Sequence, residues 1–74
     1  MQNLVVKVRE GEIVFKSAVL KGADIKIYRE DGEMVFAREN HPIDHLTVKN
    51  LKKGVYKYTI NSGGQSLSGR VVVI

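Results

Sequence analysis

A chain of 74 residues without cysteine is one domain at most, with no disulfide to staple it and no thiolate to hold a metal. Twelve Lys and Arg against eight Asp and Glu leave a net charge of +4, scattered rather than blocked, which aids solubility and identifies no partner. No apolar run approaches the roughly 20 residues of a membrane helix, so membrane insertion is not expected.

The apolar residues alternate or cluster in short runs, broken about every ten residues by turn formers, which is the all-β pattern. The first strand spans 4–8, with Leu4, Val6 and Val8 on one face. After a turn at Gly11, a second strand over 13–16 pairs Ile13 with Phe15 on one face and drifts into 17–20, where Lys21-Gly22 breaks it. The third, 23–28, turns Ala23, Ile25 and Ile27 inward. Asp31-Gly32 then makes the strongest local hairpin signal, because glycine accepts the positive φ of such turns. The fourth, 34–38, is apolar on both faces, so alternation does not assign its core side; the segment through Pro42 ends it. The fifth, 43–49, points Leu46 and Val48 inward, with Leu51 extending the cover.

The chain closes on a hairpin. Tyr56, Tyr58 and Ile60 share one face of its first arm; Asn61-Ser62-Gly63-Gly64 reverses direction. In the second arm Leu67, Gly69, Val71 and Val73 share a face, opposite Val72 and Ile74. Seven short antiparallel strands fit a small immunoglobulin-like β-sandwich, with a small barrel as the alternative. Residues 1–74 read as a single sandwich domain. A chain this short buries only about 60 % of its unfolded surface, so its stability is a few kcal/mol.

Catalytic and ligand signals fail one by one. His41 and His45 flank Pro42 and have no third metal ligand; the extended chain there does not set both imidazoles on one face. Ser62, Ser66 and Ser68 lack a nucleophile elbow. Gly63-Gly64 opens no helix that would receive a phosphate. Glu30, Asp31 and Glu33 lack the alternating ligand spacing of a calcium loop. Lys49, Lys52, Lys53 and Lys57 form a basic segment without exposed aromatic platforms, which argues against nucleic acid. Neither an enzyme nor a cofactor is expected.

The order of features is more specific than its parts. Ile25-Lys-Ile-Tyr-Arg-Glu-Asp-Gly-Glu-Met-Val35, Leu46-Thr-Val-Lys-Asn-Leu51, Lys53-Gly-Val-Tyr-Lys-Tyr-Thr-Ile60 and Ser68-Gly-Arg-Val-Val-Val73 together resemble the C-terminal sorting domain of the type IX secretion system of Bacteroidota. The resemblance covers about residues 24–74 well and the first two strands loosely. It implies a sandwich at the end of a longer secreted cargo, directed through the translocon and cut off by a surface sortase. The implied route passes through the periplasm to the cell surface or the extracellular space. Gly32 and Gly54 are then turn glycines, in addition to the turn already read at Gly63 and Gly64. Gly54, Tyr56 and the run Arg70, Val71, Val72, Val73, Ile74 form the element that the machinery reads, with Tyr56 also anchoring the core. Three departures stand out: no early P-x-P motif, Ile74 in place of a closing lysine, and a chain opening on Met1, as an expressed fragment does. Small secreted sandwiches ending in a G-x-Y…G-x-F pattern are similar too.

The sequence therefore points to a non-catalytic export signal that offers a strand edge to a receptor. The alternative is a secreted adhesion module for glycan or protein, using His41, His45, Asn61 and Ser62. In the bland reading Val71 and Val73 are core and Arg70 is a solubilising charge. Exposed edges also pair between copies, so a homodimer stays open.

Overall fold

Period-two alternation in the sequence becomes seven strands: β1 (Leu4–Arg9), β2 (Glu12–Ser17), β3 (Ala23–Arg29), β4 (Met34–His41), β5 (Leu46–Val48), β6 (Gly54–Ser62) and β7 (Gln65–Val73). The computed structural model describes residues 4–17 and 22–74. Its strands make two sheets, β1-β2-β5 and β4-β3-β6-β7, and every pairing is antiparallel. Lettered A, B, C, C′, E, F and G in chain order, the sheets are A-B-E and C′-C-F-G. This is the immunoglobulin-like sandwich with its fourth strand moved to the C-F-G side.

The inner faces supply the core. Ile13 and Phe15 of β2 meet Ala23, Ile25 and Ile27 of β3, with Ile60 and Val73 from the final hairpin, all buried. Phe15 packs edge-on against Tyr58 of the opposite sheet, ring centroids 5.3 Å apart, a geometry worth about 0.5–1.5 kcal/mol beyond the burial itself. Tyr58 in turn lies across Gly69, its partner in the β6–β7 ladder. A Cβ at Gly69 would fall 2.5 Å from the Tyr58 hydroxyl and 2.7 Å from its ring. A shift of the ring away from that Cβ would disturb its edge-on contact with Phe15. Gly69→Ala is accordingly expected to cost about 1–3 kcal/mol by overpacking, read as a lower midpoint in thermal denaturation; an unchanged midpoint would mean that the ring moves freely.

Strands four and five differ most from the sequence reading. Strand four is longer than 34–38, running on to His41, because the chain absorbs extra residues instead of stopping. Ile27 pairs with Phe36 and Tyr28 with Met34, leaving Val35 as the extra residue of a bulge. Val35 and Phe36 therefore both pack on the core, which is why alternation could not assign that strand. A second irregularity between Ala23 and Ile25 coincides with Asn40 at φ +47, whose N–H donates to Asp24 Oδ1 at 2.9 Å. Strand five is shorter than 43–49, ladder-paired only over Leu46–Val48. Ile43 is nonetheless fully buried from the preceding loop, where its carbonyl accepts from the Ser17 N–H at 2.7 Å. The expected drift of strand two through 18–20, and the break at Lys21, lie outside the described residues.

Candidate functional site: the closing hairpin and its corner

The segment that delivers the chain into β6 is fastened at both ends. Leu51 packs against the core and its N–H donates to the Gly11 carbonyl at 3.0 Å. Five residues on, Tyr56 is 3 % exposed and its hydroxyl donates back to the Lys52 carbonyl at 2.6 Å. A tyrosine at the start of strand F, bonding the backbone a few residues upstream, is the tyrosine corner of immunoglobulin-like sandwiches. Gly54 lies between the two anchors at φ +153, a conformation that L side chains rarely adopt. The Leu51-x-x-Gly54-x-Tyr56 spacing thus has one mechanical cause: an apolar foot, a bend, and an aromatic that locks the bend.

The hairpin itself is regular. Gly63 and Gly64, at φ +54 and +81, are the two central residues of a turn closed by the Ser62–Gln65 pair. Positive φ at both marks the type I′ turn, whose twist matches the strands it joins. From there nine residue pairs run to Gly54–Val73 without a register shift. At the β3–β4 end, Gly32 donates its N–H to the Arg29 carbonyl at 2.9 Å, and Arg29 donates to the Glu33 carbonyl at 2.8 Å, a three-residue hairpin loop. Arg29 also pairs with Glu33 at this exposed tip.

Four strands lie at sheet edges: β1, β5, β4 and β7. Natural sandwiches blunt such edges with shortness, bulges, prolines or lysines. β5 has three residues. β4 carries both irregularities and runs out against Pro42. β1 spans six residues with Lys7 at its middle. β7 is nine residues long, unbulged and, among the described residues, joined by no ladder to β1, although the two approach each other. It is the least protected edge.

The faces of β7 divide cleanly. Leu67, Gly69 and Val71 are half-buried, and Val73 is buried, while Ser66, Ser68, Arg70, Val72 and Ile74 face solvent. Val72 is 61 % exposed and Ile74 70 % exposed. The end is nevertheless held: the Gly11 N–H donates to the Ile74 carbonyl at 3.0 Å. Gly11 thus bonds both Leu51 and Ile74, tying the β1–β2 turn to the corner and to the last residue. Sequence reasoning saw only a turn glycine there, since a clamp between segments so distant in sequence leaves no local signal.

The loop groups considered for an adhesion module are scattered. Ser62 Oγ donates to the Gly22 carbonyl at 3.0 Å, and Asn61 Oδ1 accepts from Ser66 Oγ. His45 is exposed and His41 half-buried at the end of β4. Among the described residues no three His, Asp or Glu side chains come together as a metal would need.

A family model described as the secretion system C-terminal sorting domain matches residues 5–74. The chain belongs to this family. No curated protein matches it. The match takes in β1 and β2, which the sequence motifs reached only loosely. As a type IX sorting signal the domain marks its carrier for export toward the cell surface or the extracellular space, and it interacts with the secretion machinery. The family is one of export signals rather than of enzymes.

Proposed function

We propose that residues 1–74 act as one non-catalytic unit on a longer secreted protein, and that the type IX translocon grips this unit by β7. The surface sortase components then remove it after passage through the periplasm and across the outer membrane. The observation that carries the reading is the long, unbulged edge of β7, backed by apolar side chains in solvent at Val72 and Ile74. Half of the N–H and C=O groups of an edge strand have no ladder partner, and a receptor strand can take them whatever cargo stands upstream. That explains how one machine serves many cargoes. It also explains why the signal is a fold: the corner at Tyr56 and the clamp at Gly11 hold the edge straight.

Within this reading the buried residues Tyr56 and Val73 act by shaping β7, whereas Arg70, Val72 and Ile74 meet the receptor. A homodimer through β7 would hide the same edge and so compete with export. The adhesion alternative draws less support, because two of its four loop groups are already bonded within the domain.

Deleting residues 70–74 is a poor test, since it also removes Val73 from the core and the bond at Ile74. The sharper test fuses residues 1–74 to a secreted reporter in a type IX-competent host. The wild-type fusion is expected at the cell surface. The double substitution Val72→Lys, Ile74→Lys is expected to melt within about 0.5 kcal/mol of wild type, as exposed positions do, and to lose most surface signal. A wild-type fusion that stays in the periplasm would overturn the sorting assignment; surface delivery of the double variant would remove these side chains from the contact.

A further inference from the structure

Beside the edge lies a charge arrangement that the fold does not explain. Lys57 of β6 and Arg70 of β7 are direct partners in the ladder, on the solvent face of the four-stranded sheet, and both are exposed. Like charges set directly opposite one another destabilise a sheet. Neither forms an ion pair with an acid among the described residues: their neighbours on the same face are Val55 and Thr59 along β6, Ser68 and Val72 along β7, and Tyr28 across from Lys57, with Lys26 beside it on β3. The ion pair found among the described residues is Arg29–Glu33, at the β3–β4 tip, where Arg29 lies opposite Tyr56. One row over, Val55 pairs with Val72, so an apolar strip runs beside the cationic one.

We infer that the strand received by β7 is acidic, with a carboxylate side chain set against Arg70 and Lys57 and an apolar side chain against Val72. This inference rests on the strand-edge reading above and deepens it by giving the partner's chemistry. Opposite side chains in an antiparallel ladder have Cβ atoms about 4.5–5.5 Å apart, within reach of an ion pair. A carboxylate there would pair with Arg70 and, one strand further in, at about 10 Å, also attract Lys57, offsetting the repulsion between the two cations. The partner is a polypeptide rather than an anionic lipid surface, because Arg70 lies on an edge strand whose outer main-chain groups a second strand can pair. Tyr28, Arg70, Val72 and Met34 on this face also match the composition of protein interfaces; Met34, paired with Tyr28 across β3–β4, is 52 % exposed.

Lys57→Glu separates function from fold. Placed opposite Arg70, the glutamate makes a favourable cross-strand pair, so the melting temperature should stay level or rise. Surface delivery of the fused reporter should nevertheless fall, and fall further in Lys57→Glu, Arg70→Glu. In vitro, two short synthetic peptides alternating Val with Glu or Val with Lys serve as probes. The purified domain should bind the first and not the second, more weakly as salt is raised, and the double variant should reverse the preference. Full delivery of the folded double variant, beside a delivered wild type, would overturn the acidic partner and leave the sorting reading intact. Binding to phosphatidylglycerol vesicles with no peptide preference would overturn it in favour of a lipid surface. Failure of the wild-type fusion itself to reach the surface would instead strike the sorting reading.

Discussion

Tyr56→Ala is expected to remove most of the domain's stability, whereas Tyr56→Phe should fold with a modestly lowered midpoint. Truncating a buried aromatic costs about 3–5 kcal/mol. A domain of 74 residues has a total of about 4–11 kcal/mol at the usual stability per residue. The alanine variant therefore sits at or near the edge of folding at growth temperature. The phenylalanine variant keeps the ring and loses only the bond to the Lys52 carbonyl, a loss of about 1 kcal/mol, or roughly 4–8 °C in midpoint for a domain of this size. Thermal denaturation of the three proteins checks the corner directly. Equal losses in both variants would mean that the hydroxyl, not the packing, carries Tyr56. No loss in the phenylalanine variant would mean that the corner bond contributes nothing.

What the sequence made legible follows from how local its causes are. The inward set Ala23, Ile25 and Ile27, the turn at Gly63-Gly64 and the split faces of β7 all come from period-two alternation and glycine's access to positive φ. These act within a few residues. The core side of β4 was not legible, because an extra residue at Val35 sets two consecutive apolar side chains on the same side. Ile43 falls in the expected strand over 43–49 but is buried from a loop instead, its carbonyl accepting from the Ser17 N–H. The role of Gly69 as a seat for the Tyr58 ring, and of Gly11 as a clamp on Ile74, join segments far apart in sequence. No local pattern announces such contacts. For the candidate site, the Leu51-x-x-Gly54-x-Tyr56 spacing was visible as a motif, but its mechanical meaning needed the Tyr56 hydroxyl placed on Lys52. The repulsion between Lys57 and Arg70 likewise appears only once the ladder register is known.

The largest functional effect is expected from proline in β7. Along an antiparallel edge strand the N–H and C=O groups point alternately toward the neighbour and away from it. Proline removes an N–H, and an edge strand tolerates it where that N–H faces solvent. Substituting proline singly at Ser66, Leu67, Ser68, Val71 and Val72 leaves Arg70 in place and samples both orientations. One alternating subset should keep the β6–β7 ladder and melt close to wild type. The other should be destabilised by the lost ladder bond. Reporter delivery by the fold-preserving subset is the measurement that bears most directly on a receptor strand adding to this edge. Those variants are expected to fold, remain in the periplasm and fail to reach the surface; delivery at the wild-type level by every one of them would show that no receptor strand adds to this edge.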